Sequence, residues 1–407
     1  MREMKDSGVE WIGEIPRNWN ITKMKYIGQY INGYAFKPEE WSSQGKPIIR
    51  IQDLTRSSSS PNFYNGLLPE KYLVKKGDIL VSWAATLDAF VWQGEEGWLN
   101  QHIFKAIPNG EIVSDILFFW IVKVAMENMN HDNKHGIVMQ HITLDVFNNF
   151  MIPLPPEENQ HHIANYLNEK CTKIDAIIAK QQEIIDKLKK YKLAIINESI
   201  NNEIGTKCHL GYIATMKNGL NFSNTLEGNE IKFLGVGDFQ DNFVLDEISM
   251  FSNVVTSDVI SEEYMLKDGD IVFVRSNGSK ELVGRAVMVK NIHYPLTYSG
   301  FCIRFRNSRC DIIDNNFLLY FFRSPDFRKQ LEKLSRGSNI NNMNQEILSQ
   351  INFVFPDIKL QKEIVFLLEN KCNKIDAAIK SKLKIVDRLT DYKKSLIYEV
   401  VTGKKEV

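Results

Sequence analysis

The sequence predicts an α/β chain. Two mixed α/β heads, related by pseudo-two-fold symmetry, are separated by two long antiparallel coiled-coil helices. Three observations predict this: an internal repeat, a heptad seam inside each copy of it, and matched turn and strand motifs ahead of each copy.

Sliding the 407-residue chain on itself by 201 positions lays Leu167–Ile200 over Leu368–Val401, with 15 of 34 positions identical and no gap. The identities include Lys173-Ile174-Asp175-Ala176 against Lys374-Ile375-Asp376-Ala377, and Tyr191-Lys192 against Tyr392-Lys393. Weaker echoes lie outside. Asn32-Gly33-Tyr34-Ala35-Phe36 matches Asn218-Gly219-Leu220-Asn221-Phe222. Lys76-Gly77-Asp78-Ile79-Leu80 matches Asp268-Gly269-Asp270-Ile271-Val272. The plan is head 1–156, helix 157–203, head 204–356, helix 357–407. Diverged heads on a repeated helix suit a fixed scaffold carrying two variable parts.

Each helix has its own signals. Pro155-Pro156-Glu157-Glu158 puts proline at a helix start and acids in the first turn, where the helix dipole favours them. No proline or glycine then appears until Gly205. Leu167, Ile174, Ile177, Gln181, Ile184, Leu188, Tyr191 and Ile195 fall at steps of three and four, which is a coiled-coil seam. The second copy offers Leu368, Ile375, Ala378, Lys382, Ile385, Leu389, Tyr392 and Leu396. At 1.5 Å per residue each helix is about 60 Å long. Antiparallel packing is preferred to each helix lying on its own head, because both copies keep the same seam.

The heads read as mixed α/β over 20–154 and 207–356. Ile79–Trp83 and Ile271–Val274 are β-like runs launched by Gly-Asp turns. Tyr298–Arg306 alternates, with Phe301, Ile303 and Phe305 on one face and Cys302, Arg304 and Arg306 on a polar face. Ile116–Met126 and Phe317–Leu331 look helical.

Composition bounds the function. Lysine plus arginine equals aspartate plus glutamate, 50 each, which argues against coating nucleic acid by charge alone. The distribution is uneven, however. Lys267, Arg275, Lys280, Arg285, Lys290, Arg304, Arg306 and Arg309 face only Asp268, Asp270 and Glu281 in one stretch. Five cysteines without a C-x-x-C pair read as free thiols in a reducing compartment. The N-terminus lacks a signal-peptide apolar stretch, and Ile116–Met126 is too short to span a bilayer and carries Lys123. A cytoplasmic location follows.

Two loops per head hold the side chains that read base edges. Arg pairs with guanine, and Asn or Gln with adenine, through two hydrogen bonds. The second head offers Arg275, Asn277 and Lys280, then Arg336, Asn341 and Asn342, with Arg285, Arg304 and Arg306 nearby. The first head offers Ser82, Trp83 and Thr86, then Lys134, His135 and Gln140. Asn, Ser and Gly are also ordinary turn residues, so plain turn chemistry competes with base reading.

Enzyme signatures are absent from the sequence. There is no Asn-Pro-Pro-aromatic methyltransferase tetrapeptide and no G-x-x-x-x-G-K-[ST] phosphate loop. Gly235-Val236-Gly237 lacks the third glycine of a dinucleotide site and reads as a strand-edge turn. His131, His135 and His141 with Asp132 read as loop polar residues before a metal site. No catalytic residue, metal or cofactor is expected.

Four features carry a family resemblance. They are Asp6-Ser7-Gly8-Val9-Glu10-Trp11-Ile12-Gly13-Glu14-Ile15-Pro16 with Trp19; Pro155-Pro156 through Gln160 and Ile163 with Pro356 through Gln361 and Ile364; the two Lys-Ile-Asp-Ala cores; and Val401-Thr402-Gly403-Lys404. On these the whole chain resembles the specificity subunit of type I restriction-modification systems. One departure is Pro356-Asp357 in place of a double proline. The resemblance implies two target-recognition domains, each reading half of a split site in double-stranded DNA. It implies helices that set the gap between half-sites and dock two DNA methyltransferase (modification) subunits, with a restriction (motor-nuclease) subunit joining. Adenine N6 methylation and cleavage in phage defence belong to those partners. The seam residues would be the helix and partner interface. No base contact carries over from a motif, so the nominated residues rest on composition. A methyltransferase or nuclease with fused specificity domains is the enzyme alternative; a protein-binding coiled-coil adaptor is the structural one.

Overall fold

The structure is a computed structural model. It describes residues 2–55, 61–84, 86–132, 142–201, 205–221, 228–239, 242–246, 249, 251–256, 259–279, 281–335 and 342–407. The chain forms two compact units, residues 1–181 with 385–407, and residues 182–384. Both boundaries fall inside the two 44-residue helices, Glu157–Ile200 and Ile358–Val401. Each unit therefore holds one head, half of one long helix and half of the other.

In the first unit the main sheet runs in the order Gly28–Asn32, Ile103–Pro108, Ile79–Ser82, Asp88–Val91. A second sheet orders Phe63–Tyr64, Lys46–Ile49, Gly97–Leu99, Leu73–Val74, with its central pair parallel. Alternation sends Ile79, Val81, Phe104 and Ala106 into the core with the helix Asp115–Asp132. Leu80 and Ile103 point the other way, onto Ile49 and Leu99 of the second sheet. Lys123, which interrupts the apolar stretch of that helix, is half-buried and donates to Asp88 at 2.7 Å.

The second unit repeats the plan. Its main sheet orders Ala214–Asn218, Cys302–Asn307, Ile271–Val274, Ala286–Val289, Val244–Leu245. Its second sheet orders Ser252–Thr256, Asn229–Leu234, Leu296–Tyr298, again with a parallel inner pair.

Two expectations are corrected here. Tyr298–Arg306 is not one strand: a turn at Ser299-Gly300-Phe301 separates Leu296–Tyr298 from Cys302–Asn307 and leaves Phe301 56% exposed. Its supposed polar face is not open either. Ile303 and Phe305 pack towards the helices, while Cys302 packs against Leu234, Leu296 and Tyr298 of the second sheet. Phe317–Leu331 is likewise two helices, Asn315–Phe322 and Pro325–Leu334, because Ser324 caps a new start at Pro325.

The long helices pair in opposite chain order. Asp175 meets Lys393 in the first unit, and Lys192 meets Asp376 in the second. That order is antiparallel. Leu167, Ile174, Leu368, Ile375 and Leu396 are buried, and Leu188 and Leu389 pack against the cores. The other half of the seam is displaced by one residue. Ile177 is 46% exposed, Tyr191 59% and Tyr392 52%. Cys171, Ile178 and Ile185 take the inward places, with Ile185 fully buried and Ile184 half-buried. In the second helix Cys372 and Ile379 do so, and Ile385 is half-buried. The true seam alternates steps of four and three from Leu167. Ile177-Ile178 and Ile184-Ile185 are both isoleucine pairs, so apolar periodicity could not choose between them.

The helix starts are tied to their heads by one buried glutamine each. Gln160 Oε1 accepts from Ser114 N–H at 3.0 Å, and its amide donates to the Ile112 and Pro155 carbonyls at 2.9 and 3.3 Å. Gln361 repeats this with Asp314, Ile312 and Pro356 at 2.9, 2.8 and 2.8 Å. Asp357 accepts from Lys359 and Leu360 N–H at 3.0 and 3.1 Å, so the departure from a double proline is itself an N-cap. At the other end Gly403 has φ +72°, and a Cβ there would lie 2.5 Å from Pro16 Cδ. The C-terminal turn thus closes on the segment that holds Ile12, Ile15 and Trp19 in the first core. All five cysteines are free; burial pushes the Cys171 thiol up to about 11 and Cys302 up to about 12.

Candidate nucleic-acid interface

Sheet register places the nominated loops. In the first head Phe104 pairs with Asn32 and Ile103 with Ser82. The chain leaving Asn32, leaving Ser82 and arriving at Ile103 therefore meets at one sheet end. In the second head Ile303 pairs with Asn218 and Cys302 with Val274, which gathers the same three connections.

A fourth segment joins by one equivalent backbone bond. Ile142 N–H donates to the Trp83 carbonyl at 3.1 Å, and Met343 N–H to the Arg275 carbonyl at 2.7 Å. Ser276 and Asn342 also bridge. The described end of the second loop thus lies beside the first in each head, Ile142 by Trp83 and Asn342-Met343 by Arg275-Ser276. The glycines of the first echo are required here. A Cβ on Gly33 would lie 2.0 Å from the Asn100 carbonyl oxygen, and one on Gly219 2.2 Å from that of Ser299. Only glycine allows that crossing.

The nominated side chains divide by environment. Thr86 and Asn342 are exposed on this edge. Asn277 is half-buried and accepts from Ser279 N–H at 2.8 Å. Arg275 is half-buried; one guanidinium nitrogen donates to the Gly300 carbonyl at 3.4 Å, and its Nε is buried with no hydrogen-bond partner among the described residues. Trp83 stacks on Phe104 with centroids 5.7 Å apart and leans on His102 at 5.5 Å. Arg285 lines a groove of about 520 Å³ with Leu193, Phe322, Arg323 and Arg328.

Three nominated residues are turned inward. Ser82 is fully buried and donates to the Ala84 carbonyl at 3.1 Å. Arg304 is 5% exposed and donates to the Glu263 carbonyl at 2.6 Å. Arg306 forms a two-bond fork with buried Asp270 at 2.7 Å and donates to the Met265 carbonyl at 3.0 Å. In the second head the segment 263–270 covers that face, bonding both arginines, while Cys302 beside them packs on the second sheet. Arg304 and Arg306 brace the head and do not stand free for phosphate. Lys134, His135, Gln140, Lys280, Arg336 and Asn341 lie outside the described residues, as do the side chains of His131, Asp132 and His141. Among the described residues no cluster of His, Cys, Asp or Glu could hold a metal ion. No described helix is long and apolar enough to cross a membrane.

Sequence reading missed part of this edge. Asn100-Gln101-His102 and Ser299-Gly300-Phe301 form its third connection, and the two stretches share no residue. Only the strand registers align them. The first head also carries a ring cluster on its Gly33 loop. Tyr34 lies 4.9 Å from Phe36 and 5.9 Å from Tyr72, and the Glu40 carboxylate raises the Tyr34 phenol above its usual pKa.

The family described as type I restriction modification DNA specificity domain matches twice, over residues 16–206 and 207–385. The specificity subunit of the type I restriction enzyme MjaVIII from Methanocaldococcus jannaschii is 25% identical, over 97% of this chain and 94% of that protein. The EcoKI specificity subunit of Escherichia coli K12 is 22% identical, over 96% and 90%. A solved chain from work on complex assembly and conformational transition of the type I R-M system shares the fold, with TM-score 0.71 and 14% identity over 96% of this chain and 99% of that one. With a duplicated specificity domain over most of its length, this chain belongs to the type I restriction-modification DNA specificity family.

Proposed function

We propose that each head reads one half of a split site in double-stranded DNA, using the loop edge described above. The observation that carries this is the recurrence of that edge: the same four connections converge in two heads whose sequences differ. A fixed frame with variable loop residues is what two different half-sites require. Base reading then rests on exposed Asn and Thr groups and on Arg275, while phosphate contacts position the heads.

In this reading the chain catalyses nothing and needs no cofactor. It acts in the cytoplasm with two methyltransferase subunits and a restriction subunit, and those partners methylate and cleave. Ile177, Tyr191, Leu193, Phe366, Leu367, Leu383 and Tyr392 support docking on the long helices, because each is an apolar or aromatic side chain more than two-fifths exposed.

Selection from a random duplex pool tests the reading, with the chain co-purified with its methyltransferase subunits. Recovery of one discontinuous motif is expected. Equal binding of all sequences, or no binding, contradicts it.

A further inference from the structure

Phe301 is one of the large apolar side chains that the second head leaves exposed, with Tyr212 and Val259. It is 56% exposed at the tip of a tight turn. Strand alternation would have buried it with Ile303 and Phe305; the turn after Tyr298 turns it outward instead. That placement costs burial energy, yet the backbone beneath it is firmly held. The Phe301 carbonyl accepts from Arg275 N–H at 2.8 Å and from Ser276 N–H at 3.4 Å. Gly300 N–H donates to Leu220 at 2.7 Å, and Cys302 N–H to Ser299 at 2.8 Å. A Cβ on Gly300 would lie 2.1 Å from Asn221 Oδ1, so the exposed Asn221 sits directly beside the tip.

The turn is thus bonded to the Arg275 loop and flanked by Asn221, and the Arg275 loop bridges to Asn342. An apolar ring stands among hydrogen-bonding groups on one edge. Protein surfaces that read duplex DNA use this mixture: amides and guanidinium groups on base edges, with a ring on a thymine methyl group or against a base step.

We propose that Ser299–Phe301 is a third base-reading element of the second head, with Phe301 packing on a base of its half-site. Asn100–His102 is its counterpart in the first head, and there the chemistry is polar. Asn100 Oδ1 accepts from His102 N–H at 3.2 Å, Gln101 Nε2 lies 3.3 Å from His102 Nε2, and the ring of Trp83 leans on His102. The two heads therefore differ in kind at this position, an apolar contact in one and amide hydrogen bonding in the other. This rests on the reading of the heads as DNA readers.

The test uses the chain assembled with its methyltransferase subunits and compares Phe301→Ala, Phe301→Leu and Gln101→Ala with the unaltered complex. Motif discrimination and methylation rate are read on duplexes altered in one half-site at a time. Phe301→Ala should relax one position of one half-site by about tenfold, the scale of one lost base contact, and leave the other half intact. Phe301→Leu should retain part of that preference. Gln101→Ala should affect the opposite half. A split motif unchanged by Phe301→Ala overturns this proposal alone. So does a Phe301→Ala variant that keeps its motif and fails only to assemble, since the ring would then serve a protein partner. If the unaltered complex shows no split motif, the DNA-reading function falls and this proposal with it.

Discussion

Lys393 donates to both carboxylate oxygens of Asp175 at 2.7 Å, and 201 residues earlier Lys192 does the same to Asp376, at 2.7 and 2.6 Å. Each lysine of one repeat copy thus holds the aspartate of the other. This explains the densest identities in the repeat. Ile174 and Ile375 of the Lys-Ile-Asp-Ala cores lie in the seam, and the aspartates beside them are reached by the lysines of Tyr191-Lys192 and Tyr392-Lys393.

The lysines are 22% and 17% exposed, but the aspartates are more than half exposed, so each pair sets register more than stability. Lys393→Ala should cost about 1 kcal/mol or less. Lys393→Asp should cost more, and adding Asp175→Lys should recover most of the loss. Urea unfolding of the two singles and the double checks this. No recovery in the double would mean that the pair does not form.

The displaced half of the seam makes a second prediction. Ile185 is fully buried and Ile184 is not. Ile185→Ala should lower stability by about 2–4 kcal/mol, and Ile184→Ala by less than half of that. The reverse ranking would restore the seam read from periodicity alone.

Gln160 is 4% exposed and satisfies three backbone groups at the junction of head and helix. Gln160→Ala leaves those groups unpaired, at a cost of about 2–3 kcal/mol. Limited proteolysis should then cut near residues 110–115 sooner than in the unaltered chain. Gln361→Ala should expose residues 310–315 in the same way.

Arg304 separates the two readings of its strand. Its guanidinium is committed to the Glu263 carbonyl inside the head. Arg304→Ala should lower the unfolding midpoint of the chain and leave the salt dependence of DNA binding unchanged. A phosphate contact would instead give unchanged stability and a shallower salt slope.

Much of the architecture was legible because repeats and caps act locally. Proline ahead of both long helices, the acidic first turn of the first and Gly403 after the second mark their ends in the sequence. Apolar pattern found one rung of the seam and missed the other, since adjacent isoleucines offer two equivalent faces. Strand alternation failed over Tyr298–Arg306 because it carries no information about what covers the strand, here the second sheet over Cys302 and the segment 263–270 over Arg304, which was therefore read as open. Ser82 was read as a loop residue, but it ends the strand Ile79–Ser82 and is fully buried. The loop edge was half legible. Arg275, Asn277 and Asn342 stood out by residue type, whereas Gln101, His102 and Phe301 reach the edge only through strand register.

Mapping N6-methyladenine is the most direct test of two independent DNA-reading heads. It should be done in cells that carry the methyltransferase with either this chain or a version whose residues 204–356 come from a different specificity subunit. The unaltered chain should give one split motif, and the exchange should replace one half of it while the other half and its strand assignment stay. Loss or change of both halves, or a continuous motif, would contradict it.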